Sequence, residues 1–242
     1  MKEKIKIGKR FAKGTSSKSA RLSYKAVFEG KTYKNYNNKN IIFPKNASVI
    51  FQKDPKYFSF LFSRYKFVSK MIDQNSMVAE FGAGEGFGSP IVSTNAKKLD
   101  LYDFFEPSFS EGKKFIKSFK NITFYFQDIL TLRAKKKYDF IYSLDVLEHI
   151  SSKQENLFIN SIKRNLNKSG TAIIGMPTLF FQKYTSIENK KAHINCKNYD
   201  DFKKFLKKHF KNIFIFSMTD EVLHTGYEKI SPYLISICTN KK

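Results

Sequence analysis

Residues 78–88 read VAEFGAGEGFG: a short apolar run carrying one acid, Glu80, then Gly82, Gly84, Gly86 and Gly88 at alternate positions. Such a run ends a strand in bare main chain, which another molecule can approach closely because no Cβ intervenes. In an open α/β sheet, ligands bind beyond the carboxyl ends of the strands, and the helix after the turn offers free N–H groups and a positive dipole end. The spacing excludes two familiar loops. Counting six positions from Gly82 reaches Phe87, and from Gly84 it reaches Ser89, so the G-x-G-x-x-G dinucleotide fingerprint is not met. No Gly-Lys-Ser/Thr follows, so this is not a phosphate-binding P-loop either.

Outward from this turn, short apolar runs alternate with amphipathic ones. MVAEF, KLDLYDFF, ITFYF, YDFIYSL, TAIIGM, NIFIFSM and YLISICT are the strand candidates. Helical spacing occupies residues 90–96, FSEGKKFIKSFK, ENLFINSIKRNLN and NYDDFKKFLKKHF. In the third of these, Leu157, Ile162 and Leu166 share a face, and Gly170 stops the chain after it. Strand–helix alternation predicts a parallel sheet with helices on both faces. The last two strands follow one another with no helix between them, so one runs antiparallel to its neighbour. Upstream, Asp54-Pro55 reads as a helix start. Tyr57, Phe60, Leu61, Val68 and Met71 then recur as a core-facing stripe that also carries Arg64.

The totals narrow the class. With 41% apolar residues, 242 residues can bury a sizeable core. The two cysteines, Cys196 and Cys238, match no CxxC pattern, which argues against a disulfide framework or structural zinc and fits a cytoplasmic protein. No run is long enough to span a bilayer, and the basic N-terminus has no apolar segment of a signal peptide behind it. The net charge of +23 suggests a polyanion partner, yet only five of the 44 basic residues are Arg, the residue best suited to phosphate. Lys, Asn, Ile and Phe are the residues of AT-rich codons, so solvated lysine is the simpler account. Nucleic acid is therefore the alternative partner and a small molecule the first. Residues 1–52 read as a basic extension: a flexible arm over 1–25, then irregular or weakly β chain to 52. The domain proper runs over 53–242.

From about residue 50 onward the sequence resembles the class I S-adenosylmethionine-dependent methyltransferases. Glu80 to Gly86 follows their acid-x-G-x-G-x-G motif, LYDFFEPS their second strand with its acid, and FYFQDIL their third. YDFIYSLDVLEHI resembles the fourth strand, and LNKSGTAIIGMP the fifth with its approach. The resemblance implies a Rossmann-like, doubly wound, mostly parallel seven-stranded sheet with one antiparallel strand, and S-adenosylmethionine as cofactor. It implies that Gly82, Ala83 and Gly84 line the methionine part of the cofactor and that Glu80 helps hold its cationic amino end, directly or through water. Glu106, or else Asp103, takes the ribose hydroxyls. Asp128 accepts from the adenine amino group, the Ile129 N–H reads the ring edge, and Leu144, at the end of the fourth strand, is a further cofactor-binding residue.

Methyl transfer needs a positioned acceptor and, for a hydroxyl or amine, removal of a proton, which histidine performs near neutral pH. His193 and then His149 are the candidate bases. His209 sits in a basic amphipathic stretch and reads as surface, while His224 lies before the last strand. Asp145, Glu148 and His149, at i, i+3 and i+4, share a helical face. This resembles the divalent-metal arrangement of ubiquinone-pathway and small-RNA methyltransferases. Metal-free relatives carry the same EHI, so the first reading has no metal and these three residues are its alternative. The expected acceptor is a small polar molecule such as a sugar, with RNA gripped by the basic arm, or a cofactor-binding scaffold without activity, as alternatives.

Overall fold

The computed structural model describes residues 41–242. The basic arm and the chain up to residue 40 lie outside the described residues. The first element is a helix, α1 (Lys45–Lys53), followed by α2 (Pro55–Met71). Asp54 caps α2, its carboxylate accepting the N–H groups of Lys56 and Tyr57, with Pro55 in the first turn where no donor is needed. The Phe51 and Phe58 rings meet edge-to-face at 5.3 Å and join the two helices. Residues 45–52 are thus helical rather than irregular or weakly β. The donors at the start of α1 find their acceptor far away in sequence: Glu85 accepts the N–H groups of Asn46 at 3.0 Å and Ala47 at 3.2 Å.

The sheet then builds as expected. The strands are β1 (Ser76–Phe81), β2 (Ala96–Asp103), β3 (Ile122–Phe126), β4 (Tyr138–Leu144) and β5 (Leu166–Pro177), with β6 (Phe210–Thr219), β7 (Val222–His224) and β8 (Tyr233–Lys241) after them. Their spatial order is β3-β2-β1-β4-β5-β8-β6-β7. Strands β1 to β5 are parallel, and β8 runs antiparallel to both β5 and β6. The three-residue β7, in a stretch expected to be a connection, pairs antiparallel with β6 and makes an eighth strand. The chain leaves β1 towards β2 on one side and returns to β4 on the other, so the crevice between β1 and β4 is the topological switch point.

Helices cover both faces. On one lie α2, α3 (Ser89–Ser93) and α4 (Glu106–Ile116), packing Val68, Val92, Phe115 and Ile116 against Val78, Leu99 and Leu101. On the other lie α5 (Glu155–Asn165) and α7 (Tyr199–Lys207), packing Phe158, Ile162, Phe202 and Leu206 against Ile141, Ala172 and Ile174. A short helix, α6 (Ile187–Ala192), stands between β5 and α7.

Several local expectations change. Leu157 faces solvent, and the buried stripe of α5 is Phe158, Ile159 and Ile162. Leu166 opens β5 directly after Asn165, so Gly170 lies inside a strand and stops no helix. On α2, Tyr57 and Met71 are about half exposed, whereas Phe58, Arg64 and Tyr65 are buried. No described helix is long and apolar enough to cross a membrane.

Candidate functional site

A cleft of about 620 Å³ opens at the carboxyl ends of β1 and β4. Its floor is Gly82, Ala83, Gly84, Leu144 and Asp145. One wall is α1 and α2, and the other carries a 3-10 turn (Phe180–Tyr184), α6 and His193. The glycines there are required. Gly82 has φ +78°, and a Cβ on it would lie 2.4 Å from the Val146 side chain, so both conformation and space exclude other residues. Gly84 has φ +55° and faces open space, so its bare backbone is exposed to whatever enters.

The acids around the loop divide into two kinds. Glu80 is buried and turned beneath the loop, accepting Ser89 Oγ at 2.5 Å and Tyr142 Oη at 2.7 Å on the same oxygen. Glu80 is not among the residues that line the cleft. Burial pushes its carboxyl up to about 7, against the lowering effect of the Ser89 and Tyr142 hydroxyls. Asp103, the last residue of β2, accepts the Gly84 N–H at 2.8 Å on one oxygen and the Phe105 N–H at 2.8 Å on the other. It therefore fixes the glycine turn. Glu106 lies in the first turn of α4, exposed, and accepts from Ser110 Oγ. Asp128 is exposed just past β3 and accepts the Leu130 N–H, while the Ile129 side chain is buried in the core. Phe104 and Phe105, just past β2, and Tyr125 and Phe126, at the end of β3, are exposed.

Across the switch point, β4 ends in Leu144 and then Asp145, a non-glycine residue at φ +56°. Asp145 is held there by its N–H to the Gly175 carbonyl at 3.1 Å and by an ion pair with Arg64 at 2.5 Å. Arg64 was legible only as an oddity on an apolar stripe. Its guanidinium lies between Phe60, 4.5 Å from the ring centroid, and Tyr233 at 3.8 Å. Burial works against its charge, but Asp145, with Tyr233 and Tyr57, holds the group above its ordinary range.

The turn after Asp145 is a 3-10 helix (Leu147–His149). Glu148 is fully buried, and among the described residues neither of its carboxylate oxygens has a hydrogen-bond partner; His149 Nε2 lies 3.9 Å from Oε1. Burial, and then the Asp145 charge, push its carboxyl well above the carboxylate range. The His149 and His193 rings meet edge-to-face with centroids 5.0 Å apart. Burial, and then the neighbouring His149, hold His193 below its ordinary value, which favours the neutral ring. The two candidate bases, 44 residues apart in sequence, are thus brought to one wall of the cleft. His224 is in β7, bonded to Ser217 and Gly226, and His209 bonds Asn156; neither reaches the cleft.

A glycine-floored cleft at the switch point of this sheet, with an antiparallel edge beyond β5, defines a class I, S-adenosylmethionine-dependent methyltransferase. The chain belongs to the family described as "Methyltransferase domain", whose profile matches residues 54–213. Solved structures share the fold. The N-methyltransferase NodS from Bradyrhizobium japonicum WM9, in complex with S-adenosyl-L-homocysteine, is similar at TM-score 0.61 and 14% identity, over 81% of this chain and 93% of that one. The methyltransferase domain of bacterial CtHen1 gives TM-score 0.61 and 16% identity, over 74% and 98%. The Trm112–methyltransferase complex of Haloferax volcanii gives 0.65 and 9%, over 81% and 94%. No curated protein matches the chain.

Proposed function

We propose that this methyltransferase acts on a hydroxyl or amine of a small polar acceptor, such as a sugar, bound between the glycine turn and the His149–His193 wall. The observation that carries the reading is the joint geometry: Gly82–Gly84 bare backbone and the Glu148, His149 and His193 side chains line a single cleft. The adenosine end of the cofactor lies beyond the carboxyl ends of β2 and β3, between Asp103 and Asp128. Asp103 rather than Glu106 takes the ribose hydroxyls, because it ends β2 beside Gly84 while Glu106 points to solvent on α4. The methionine end passes over Gly82 and Gly84, near the Arg64–Asp145 pair. Transfer is an in-line displacement at the sulfonium carbon, so the chain's work is to align acceptor and methyl and to exclude water. His193, supported by Gln182, or else His149 with its Nδ1 on the Ala192 carbonyl, receives the acceptor's proton.

A second reading, RNA as acceptor, is favoured by the outer rim. Phe180 and Tyr184 are exposed there with the Lys183 ammonium over both rings, 4.2 Å and 4.7 Å from their centroids. Base stacking with a lysine at hand suits a single strand. Calorimetry with S-adenosyl-L-homocysteine tests the shared part: binding to the wild type, lost in Asp103→Ala, is expected, and no binding to the wild type would overturn it. Titration with a single-stranded RNA across a salt series separates the acceptors. A steep loss of affinity with salt supports RNA, and no binding at low salt supports the small molecule.

A further inference from the structure

We infer that the methyl acceptor is an amine nitrogen, held as its ammonium by Glu148 together with His149 and His193 on the wall of the cleft. The inference rests on the proposed methyl transfer and narrows its acceptor from two chemical classes to one. Its starting point is an orphan. Glu148 lines the cleft and is fully buried, yet among the described residues neither carboxylate oxygen has a hydrogen-bond partner. Buried carboxylates ordinarily have partners, and leaving one bare costs more than leaving a neutral group bare.

The two rings beside it offer no donor to fill the gap. His149 Nδ1 lies 3.0 Å from the Ala192 carbonyl oxygen, which can only accept, so Nδ1 carries the proton and Nε2 is left to accept. His193 Nδ1 lies 2.9 Å from Gln182 Oε1, and the Gln182 amide is oriented by its Nε2, which donates to the Thr178 carbonyl. His193 therefore also keeps an accepting Nε2. The clearest sign is the 3.9 Å between His149 Nε2 and Glu148 Oε1, two acceptors side by side with no proton to share. A carboxylate oxygen of Glu148 and one nitrogen from each ring lie within 4.8 Å of one another. The complement of such a cluster is a group with several donors and no acceptor, which describes an ammonium. A hydroxyl has one donor, and its own lone pairs would face the remaining acceptors.

Charge leads to the same group. Arg64 is already paired with Asp145, so it does not satisfy Glu148. Burial and then the Asp145 charge disfavour the Glu148 carboxylate, and a cation held against it offsets both. The reaction separates the two acceptor classes further. An ammonium passes one proton to His193, the freed lone pair forms the N–CH₃ bond, and the C–S bond breaks to leave a neutral thioether. Positive charge thus grows on nitrogen as the methyl arrives, where the Glu148 carboxylate stabilises it. An oxygen acceptor would instead approach as an alkoxide, which Glu148 and Asp145 repel. A neutral imidazole is also too weak a base for a hydroxyl, whose proton is held about as tightly as that of water, near 16, whereas amines lie near 8–10.

The test uses the full chain in EDTA, at neutral pH, with and without saturating S-adenosyl-L-homocysteine. Ethanolamine and ethylene glycol, which differ only in ammonium against hydroxyl, are titrated while the ring resonances of the four histidines are followed by nuclear magnetic resonance. Ethanolamine should shift His149 and His193 saturably and leave His209 and His224 in place, and ethylene glycol should shift none. Glu148→Gln should weaken the ethanolamine response about tenfold or more, through loss of the charge-assisted bond. Glu188→Gln, which removes an exposed acid of α6 that does not line the cleft, should respond as the wild type does. No response to ethanolamine, an equal response to ethylene glycol, or an unchanged response in Glu148→Gln overturns the inference. The diol comparison is made on the wild type, so it decides even where the variant fails to fold. S-adenosyl-L-homocysteine calorimetry on the same samples keeps the readings apart: cofactor binding without an ethanolamine response sinks the amine site alone, and the reverse sinks the placement of the cofactor.

Discussion

Replacing Glu80 with Gln should change how stability responds to pH more than it changes the fold. The carboxyl is buried under the glycine turn, accepts two hydroxyls on one oxygen, and is pushed by burial from the usual 4.5 up to about 7. In the unfolded chain it loses its proton near 4.5. Between those two values the folded protein holds a proton that the unfolded one has released, so stability falls as pH rises through the window and levels off above 7. The span corresponds to roughly 3 kcal/mol. Gln keeps the shape and an acceptor oxygen for Ser89 and Tyr142 but cannot ionise. Every other titrating group is common to both proteins, so the difference between their curves isolates this one. Measured by thermal melting in a buffer series from about pH 4.5 to about pH 8, the gap should shift by about 6–12 °C in favour of Glu80→Gln as pH rises. Parallel curves across the series would refute the reasoning, because a carboxylate with an ordinary folded pKa confers no such slope.

Two further outcomes follow from the turn itself. Gly84→Ala meets open space, so it should cost only the left-handed backbone penalty of about 1–2 kcal/mol in denaturant titration while abolishing S-adenosyl-L-homocysteine binding by calorimetry. Gly82→Ala adds the Val146 clash at 2.4 Å and should be the less stable of the two. Glu85→Ala removes the acceptor for two N–H groups of α1. Amide exchange of residues 46–53 should speed up by about tenfold, equivalent to about 1.4 kcal/mol, while exchange in β1 and β4 stays unchanged.

Strand periodicity and turn chemistry are local properties, and they were readable from the chain. ITFYF and YDFIYSL became β3 and β4 with the ends expected, and the alternation of apolar runs with amphipathic ones implied the parallel sheet. The glycine turn was readable for the same reason, since φ +78° at Gly82 is a demand on one residue. Which apolar side faces inward was less so. Leu157 and Phe158 are adjacent and both apolar, and only the position of the sheet decides that Phe158 is buried.

Relations between distant segments belonged to the tertiary structure alone. Helix α1 starts where it does because Glu85, 39 residues away from Asn46, supplies its missing acceptor. Arg64 and Asp145 find each other across 81 positions, which removes Asp145 from the group it adjoins in sequence. His149 and His193 likewise meet across 44 positions, their ring centroids 5.0 Å apart. Periodicity reports the face a residue shares with its neighbours in the chain. Charge pairing and ligand sets are fixed by which faces meet, and that is settled only when the sheet closes the distance between them.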